Sequence, residues 1–191
     1  RTIGRQIELT QEGYHIGPPN DGFMIKRIYV NGKKKSIQEP HPERSKYWIK
    51  AFEMRASGQY EDQEIVDTVN AMGYKSKESY KWNNDHEKII GKRGGNPLTI
   101  RQLQHTIKNP VYCGVLVKKW TKHQPIKAQY EGLVSIDIFN RANRGKVFIK
   151  DLGGGTYEAL YDYHPNKPVA KRMRNNPLFP YKFILCPECG R

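Results

Sequence analysis

Side chains that can read the edges of nucleic-acid bases lie close together near the middle of the chain. They are Arg101, Gln102 and His105, and Lys108 flanks them. Arginine can bind guanine O6 and N7 together, and glutamine can bind adenine N6 and N7 in the same two-point manner. A lysine beside them suits a phosphate. The same residues also fit an ordinary solvated surface helix, because arginine and glutamine are good helix formers.

The residues around these side chains predict a short helix over 97–108. Asparagine can cap a first turn and proline is tolerated at the first helical position, so Asn96-Pro97 is read as the start. Asn109-Pro110 is read as the end, because proline pushes the preceding residue toward extended geometry. Ile100, Leu103 and Ile107 fall on one face at helical spacing. The helix should therefore have an apolar back and a polar front.

A polar stretch with glycines precedes this helix. Residues 74–96 become basic toward their end and close with Gly94-Gly95. The basic residues are Lys88, Lys92 and Arg93. Backbone N–H groups at a helix N-terminus attract anions. The stretch has no Gly-Lys-Ser/Thr, so it does not indicate a nucleotide P-loop, and a DNA backbone phosphate is the expected ligand.

Two cysteines near the end of the chain have the spacing of a zinc knuckle. Cys186 and Cys189 are followed by a glycine that lets the backbone bend around a metal. Structural zinc needs four ligands, so these residues supply a half site, and a second pair would have to lie beyond Arg191. Cys113 lies in a strand-like pattern and is expected to be a small buried apolar residue.

The charge of the chain favours a polyanionic partner. The 191 residues carry a formal charge of +14, and the pI is about 9.7. Nucleic acid is the first expectation and an anionic membrane surface the second. No apolar run is long enough to span a bilayer, and three cysteines do not make a secreted disulfide framework. We expect a cytoplasmic protein, of which a chain beginning at Arg1 is a piece.

Short helices and hairpins are expected on either side of the central helix. Asn31-Gly32 predicts a type I′ hairpin over 22–37. The apolar stripes of two helices, within 39–58 and 60–73, should form the core and support the helix at 97–108. The expected fold class is α+β, a small helical cluster with β-hairpins forming a mixed α/β domain, followed by a flexible C-terminal linker.

The order of several motifs resembles the C-terminal part of large serine recombinases, which include phage integrases and transposon resolvases. The motifs are QIELTQEGY, EPHPERSKYWIKAFEMRASG, EIVDTVNAMGY, IKNPVYCGVLV, GLVSIDIFNRAN and FILCPECG. The pair IKNPVYCG and SIDIFNRA is the most specific part. The resemblance implies four segments. They are the end of an inter-domain helix with a linker (1–20), a recombinase DNA-binding domain (21–146), a linker or mobile loop (147–180) and the start of a truncated zinc-ribbon domain (181–191).

The resemblance also implies an activity for the longer parent protein. In this family a serine in a separate N-terminal domain cuts and rejoins DNA, so we expect this chain to bind attachment-site duplex DNA without catalysing a reaction. The parent proteins act as dimers that assemble into tetramers, in bacterial or phage-encoded, nucleoid-associated systems. Zinc is expected in the parent protein, and no cofactor is needed for DNA binding by this chain.

The same resemblance places the predicted contact residues on DNA. The contacts from the linker region would come from Arg5 and, as a weaker candidate, His15. The residues in or near the major groove would be Arg101, Gln102 and His105. Those on phosphates would be Lys92, Arg93, Thr99 and Lys108. No catalytic residue is predicted.

Two other functions remain open at this point. An RNA-binding basic module with a zinc ribbon would need aromatic residues exposed on a sheet, whereas most Tyr and Trp residues here fall at core spacing. A small metal-dependent nuclease could use His86, which follows Asn83, Asn84 and Asp85. No second histidine or acidic partner stands at ligand spacing, so a polar loop is the stronger interpretation.

Overall fold

The computed structural model describes residues 2–85 and 87–163, and within them the fold is α+β as predicted. The helices are α1 Thr2–Gln11, α2 Ser45–Ser57, α3 Asp62–Ala71, α4 Ile100–Ile107 and α5 Ile136–Asn143. The strands are β1 Phe23–Val30, β2 Lys33–Pro40, β3 Ser79–Trp82, β4 Ile89–Arg93, β5 Val115–Val117, β6 Pro125–Lys127, β7 Val147–Gly153 and β8 Thr156–Tyr161. They form three antiparallel sheets, ordered β1-β2, β3-β4 and β5-β6-β8-β7.

The core is a cluster of aromatic side chains between α2, α5 and the 3-10 turn at Pro110–Cys113. The Phe52 ring lies 5.4 Å from the Tyr112 ring and 6.1 Å from the Phe139 ring, centroid to centroid. Trp48 and Phe23 contact the same Tyr112 ring at 5.9 and 5.6 Å. All five side chains are buried. The aromatic stripe of α2 is therefore core, as its spacing indicated.

The β1–β2 hairpin confirms the predicted turn. Asn31 and Gly32 both have positive φ, 51° and 70°, which a type I′ turn requires. Val30 pairs with Lys33 directly across this turn. The second strand runs to Pro40, three residues beyond the predicted end.

Helix α4 begins three residues later than predicted. Its N-cap is Thr99, and residue 96 instead pairs with the chain before the β3–β4 hairpin through Asn96 O and Ser76 N, 2.8 Å apart. Ile100 is consequently half exposed rather than part of the apolar back, and Leu98 is buried in its place. The helix packs mainly on α3, one of the two helices expected to support it, and on α5.

The expectation of a linker or mobile loop over 147–180 is wrong for its first part. Residues 147–161 form the β7–β8 hairpin, which extends the sheet of β5 and β6. The buried side chains of Val147 and Ile149 alternate along β7 and explain why this segment is structured. Gly153–Gly155 turn the chain between two strands, all with positive φ, and are not a linker. Residues 164–180 lie outside the described residues.

The segment after α1 is packed onto the domain, where an extended linker was expected. Gly13, Tyr14 and His15 are buried. Gln129 N donates to Gly13 O at 2.9 Å, and Trp120 Nε1 donates to Thr10 Oγ1 at 3.1 Å. The C-terminal end of α1 is therefore held against the rest of the fold. In the part of the chain that the structure describes, every helix is too short or too polar to cross a bilayer.

Candidate nucleic-acid interface

The front of α4 faces solvent. Its predicted contact residues, Arg101, Gln102, His105 and Lys108, are all exposed. On the opposite side Leu103 and Ile107 are fully buried. The spacing of the sequence thus gave the correct back and front of the helix, apart from Ile100. An exposed row of donors on a buried support is the geometry that a groove-binding helix needs.

A capping box at the start of α4 occupies two of the predicted contact residues. Gln102 N donates to Thr99 Oγ1 at 3.3 Å, and Thr99 N donates to Gln102 Oε1 at 3.1 Å. Two-point binding of adenine needs the oxygen and the nitrogen of the glutamine amide. While the cap is intact, Gln102 can offer DNA only its Nε2 donor. The Thr-x-x-Gln pattern at 99–102 is a known start signal and could have been read from the sequence.

Two asparagines hold the ends of α4. Asn70 of α3 donates from Nδ2 to Leu98 O at 3.0 Å, and its Oδ1 accepts from Leu98 N at 2.7 Å. At the other end, buried Asn143 of α5 donates from Nδ2 to Ile107 O at 2.9 Å. The helix is therefore fixed to both of its neighbours by hydrogen bonds as well as by apolar packing.

An ion pair holds the middle of α4. Asp62 accepts from Arg55 Nε at 2.7 Å and from Gln104 Nε2 at 2.7 Å. The buried Arg55 also donates from Nη1 to Ala142 O at 2.7 Å, which connects α2, α3, α4 and α5. Burial alone would raise the pKa of Asp62, but the hydrogen bonds from Arg55 and Gln104 outweigh it, and the pKa lies below its usual value.

Lys92 and Arg93 lie on a β-hairpin, where the sequence had suggested a polar loop. We call this hairpin, β3 and β4 with their connection, the ribbon. Arg93 Nε donates to Ser79 Oγ at 2.9 Å, and Lys92 Nζ lies 3.8 Å from the Glu78 carboxylate. Both cations are exposed. At the base of the ribbon a Cβ on Gly94 would lie 2.1 Å from Lys77 O, so only glycine fits there.

The ribbon also exposes two aromatic residues that do not belong to the core. Tyr80 is 56% exposed and Trp82 is 45% exposed. Their alternation along β3 is visible in the sequence. The polar residues between and after them hid the strand, because neither face of this hairpin is buried.

The two candidates near the chain start differ in accessibility. Arg5 on α1 pairs with Glu8 at 3.1 Å. Because its side chain is partly exposed, its guanidinium can still reach a ligand. His15 is 5% exposed, and its Nε2 lies 2.9 Å from Pro18 O. Burial lowers the pKa of His15 and favours the neutral ring. The ring of His15, the weaker candidate, is therefore not accessible to DNA in this conformation.

Asp21 is a positioning residue that sequence reasoning missed. Its carboxylate accepts from Arg44 Nε at 2.7 Å and from the Tyr74 hydroxyl at 2.7 Å, and its carbonyl accepts from the buried Tyr112 hydroxyl at 2.7 Å. Burial would raise the pKa of Asp21, but the bonds from Arg44 and Tyr74 lower it overall. This network ties the segment before β1 to α2 and to the core. Nothing local in the sequence signals contacts over 53 or 91 residues.

The residues proposed for metal chemistry are not assembled in the described structure. Cys186 and Cys189 lie outside the described residues, and so does His86. Within residues 2–85 and 87–163, no group of three or more His, Cys, Asp or Glu side chains could hold a metal ion. Asn83 has a structural role, because its Oδ1 accepts from Glu87 N and Lys88 N at 2.8 and 3.0 Å in the turn of the ribbon. Cys113 is buried, which raises the pKa of its thiol to about 12.

A comparison with family models gives one match, described as Recombinase, over residues 42–146. This range covers more than half of the chain and contains α2, α3, the ribbon, α4 and α5. No curated protein and no solved structure matches the chain.

Proposed function

Because the chain belongs to the Recombinase family, the recombinase domain of serine recombinases, we propose that it binds the attachment sites of such an enzyme as duplex DNA in a sequence-specific manner. The family itself implies a role in site-specific recombination, with DNA as the partner. The single observation that carries the finer proposal is the exposed front of α4 on a buried, hydrogen-bonded back.

In the proposed complex α4 lies in the major groove. Arg101 and His105 face base edges, and Gln102 contributes its free amide nitrogen. A two-point arginine contact with guanine is worth about 1–3 kcal/mol of discrimination against other bases. Lys108 at the end of the helix and Lys92 and Arg93 on the ribbon bind phosphates, which positions the helix without reading sequence.

The charge of the chain supports this proposal. A protein of +14 should release counterions when it binds DNA, so its affinity should fall steeply with salt. For Z neutralised phosphates, the logarithm of the binding constant falls with the logarithm of salt at a slope of about −0.9Z. A slope near zero would be incompatible with a phosphate-binding interface.

The proposal extends to the longer parent protein. There a serine outside this chain cleaves and rejoins DNA, and copies assemble as a dimer and then a tetramer on paired sites. Zinc in the parent protein would take Cys186 and Cys189 as two of its four ligands. The support for these statements is family membership and the chemistry of the two thiolates. DNA binding by this chain is proposed to need no cofactor.

Selection from a random duplex pool tests sequence-specific binding. Wild-type protein should enrich a defined 40-bp sequence and bind it more tightly than the starting pool at equal salt. Arg101→Ala should lose this preference. Arg27→Ala removes the same charge from an exposed position on β1 and should retain it. Failure of the wild-type protein to enrich any duplex would overturn the proposal.

The exposed Tyr80 and Trp82 give the RNA alternative a structural basis, since aromatic side chains on strands can stack on single-stranded bases. Competition between the enriched duplex and single-stranded RNA of the same length separates the two functions. We expect the protein to bind the duplex more tightly than the RNA. Preferential displacement of the duplex by RNA would favour an RNA-binding module.

A further inference from the structure

The two faces of the ribbon differ in chemistry. Residues paired across an antiparallel ladder share a face, and here Tyr80 pairs with Lys92 and, beyond a register shift that skips Ile90, Trp82 pairs with Ile89. This face is aromatic and aliphatic, with the Lys92 ammonium 5.8 Å from the centre of the Tyr80 ring. The opposite face carries Ser79 with Arg93, and Lys81 with Gly91. The ribbon thus has an apolar face and a basic face.

The apolar face has no partner within the described structure. Tyr80, Trp82 and Ile89 on this face are 56%, 45% and 50% exposed, and Ile90 at the register shift is 58% exposed. Exposed apolar side chains clustered on one small element mark a binding surface more often than chance. Four cations and two carboxylates lie between Ser79 and Arg93, so the element has a net positive charge. The positive charge and the exposed apolar side chains of the ribbon therefore favour an anionic partner that also offers apolar surface.

We propose that the ribbon is a second DNA-binding element, which inserts its apolar face into a groove of the duplex that α4 binds. This inference rests on the proposed function. A two-stranded ribbon fits the major groove of B-DNA, and apolar side chains can pack on or between base pairs. Tyr80 and Trp82 supply flat rings, while Lys92 on the same face binds an adjacent phosphate.

The length and attachment of the ribbon fit this role. It leaves the domain at Ser76, whose backbone bonds to Gly95 and Asn96, only a few residues before α4 begins. A fully extended chain from Ser76 to Asn83 at its turn, which includes β3, would cover at most about 23 Å. At about 3.4 Å per base pair this corresponds to about 7 base pairs beyond the ribbon's base. One duplex can therefore reach α4 and the ribbon together.

A second copy of this chain is a less suitable occupant of the apolar face. In a symmetric dimer the same surface meets itself, so Lys92 of each copy would lie near the other copy's apolar face and its cations. Lys81, Lys88 and Arg93 would add like charges around the contact. DNA neutralises the same cations and offers base planes to the aromatic rings.

Tryptophan fluorescence and footprinting on the enriched 40-bp duplex test the inference. Trp48 is buried, so Trp82 and Trp120 dominate the solvent-exposed signal. Stacking of Trp82 on bases should quench wild-type fluorescence, and Trp82→Phe should remove most of that quenching. A Trp82→Ala, Ile90→Ala variant should bind at least about 5-fold more weakly and shorten the hydroxyl-radical footprint by about half a helical turn. Both substituted side chains are exposed, so the fold should be retained.

Controls separate this inference from the proposed function. Tyr161→Ala removes another exposed aromatic side chain, from β8, and should leave the affinity and footprint unchanged. If the double variant keeps wild-type affinity, footprint and quenching, the ribbon inference fails while sequence-specific binding by α4 stands. If DNA-free wild-type protein sediments as a dimer and the double variant as a monomer, the apolar face is a self-association surface and the inference is overturned. If wild-type protein enriches no duplex, the proposed function fails first.

Discussion

The side-chain amide of Asn70 forms two hydrogen bonds with the backbone of Leu98, in the way that two peptide groups pair across a sheet. Its amide oxygen accepts from Leu98 N at 2.7 Å, and its amide nitrogen donates to Leu98 O at 3.0 Å. Leu98 immediately precedes Thr99, the N-cap of α4. This contact holds the residue that precedes the N-cap, while Asn143 holds the carbonyl of Ile107 at the other end of the helix. The position of the α4 front therefore depends on two side chains that lie outside it.

Asn70→Ala should destabilise the domain. The change leaves Leu98 N and O, next to a buried side chain, without their partner, and an unsatisfied buried polar group costs about 1–3 kcal/mol. Urea unfolding should show this loss in the free energy of unfolding. Asn84→Ala, at an exposed site in the turn of the ribbon, should change it by about 0.5 kcal/mol or less. Equal free energies of unfolding for the two variants would show that the Asn70–Leu98 hydrogen bonds do not stabilise the fold.

The Asp62 ion pair should make stability depend on acid pH. The folded-state pKa of Asp62 lies below its usual value, because its bonds with Arg55 and Gln104 outweigh the effect of burial. Its contribution is therefore full above the unfolded pKa of about 3.9 and is lost as pH falls through the lower folded pKa. The Asp62→Asn variant should lack this part of the acid-induced loss of folding stability. Urea unfolding of both proteins between pH 6 and pH 3 measures it.

Parallel stability curves for wild type and Asp62→Asn below pH 4 would show that the carboxylate does not contribute through its charge. Asp21, whose pKa is also lowered, should leave a second acid-sensitive contribution in both proteins. The comparison therefore uses the difference between the two curves. That difference cancels the part of the acid response that the proteins share.

The exposed front of α4 was predictable because the apolar residues on the opposite side of the helix recur at helical spacing. This pattern is visible in the local sequence. The start of the helix was predicted at Asn96-Pro97, but the Thr99–Gln102 capping box sets it. Both are local signals, and the choice between them depends on the backbone pairing of residue 96 with Ser76. That pairing spans 20 residues and cannot be read from the sequence around the helix.

Other features needed the folded structure. The β7–β8 hairpin was hidden by Gly153–Gly155, because a glycine run fits a tight turn as well as a linker. The ribbon was hidden because neither face is buried, so the alternation of Tyr80 and Trp82 had no apolar pattern to support it. Asn70 was unremarkable in the sequence because its contact lies 28 residues away.

Arg101→Ala and Lys108→Ala should weaken DNA binding in different ways. Arg101 faces base edges in the proposed complex, so its loss should cost about 1–3 kcal/mol on the preferred duplex and relax the preference at one base position. Lys108 binds a phosphate, so its loss should weaken binding to all duplexes alike and reduce the salt slope by about 1. Titrations of both variants on preferred and random duplexes over a range of salt measure the difference. Identical behaviour would show that the two side chains are wrongly assigned.

Gln102→Glu should separate the capping role of this residue from its position on the DNA-facing front. Glutamate keeps the oxygen that accepts from Thr99 N, and its negative charge is favourable in the first turn of a helix. Thermal stability should therefore be equal to that of the wild type or slightly higher.

Affinity of the same variant for duplex DNA should fall, because a carboxylate replaces a donor on the surface that meets phosphates and base edges. Gln102→Ala serves as the matched control, since it removes the oxygen that accepts from Thr99 N without adding charge and should lower stability by about 1 kcal/mol. Thermal unfolding and DNA titration of both variants at low and moderate salt give the result. If Gln102→Glu binds DNA as tightly as the wild type, residue 102 does not lie at the interface, and the DNA-facing surface must be sought away from the first turn of α4.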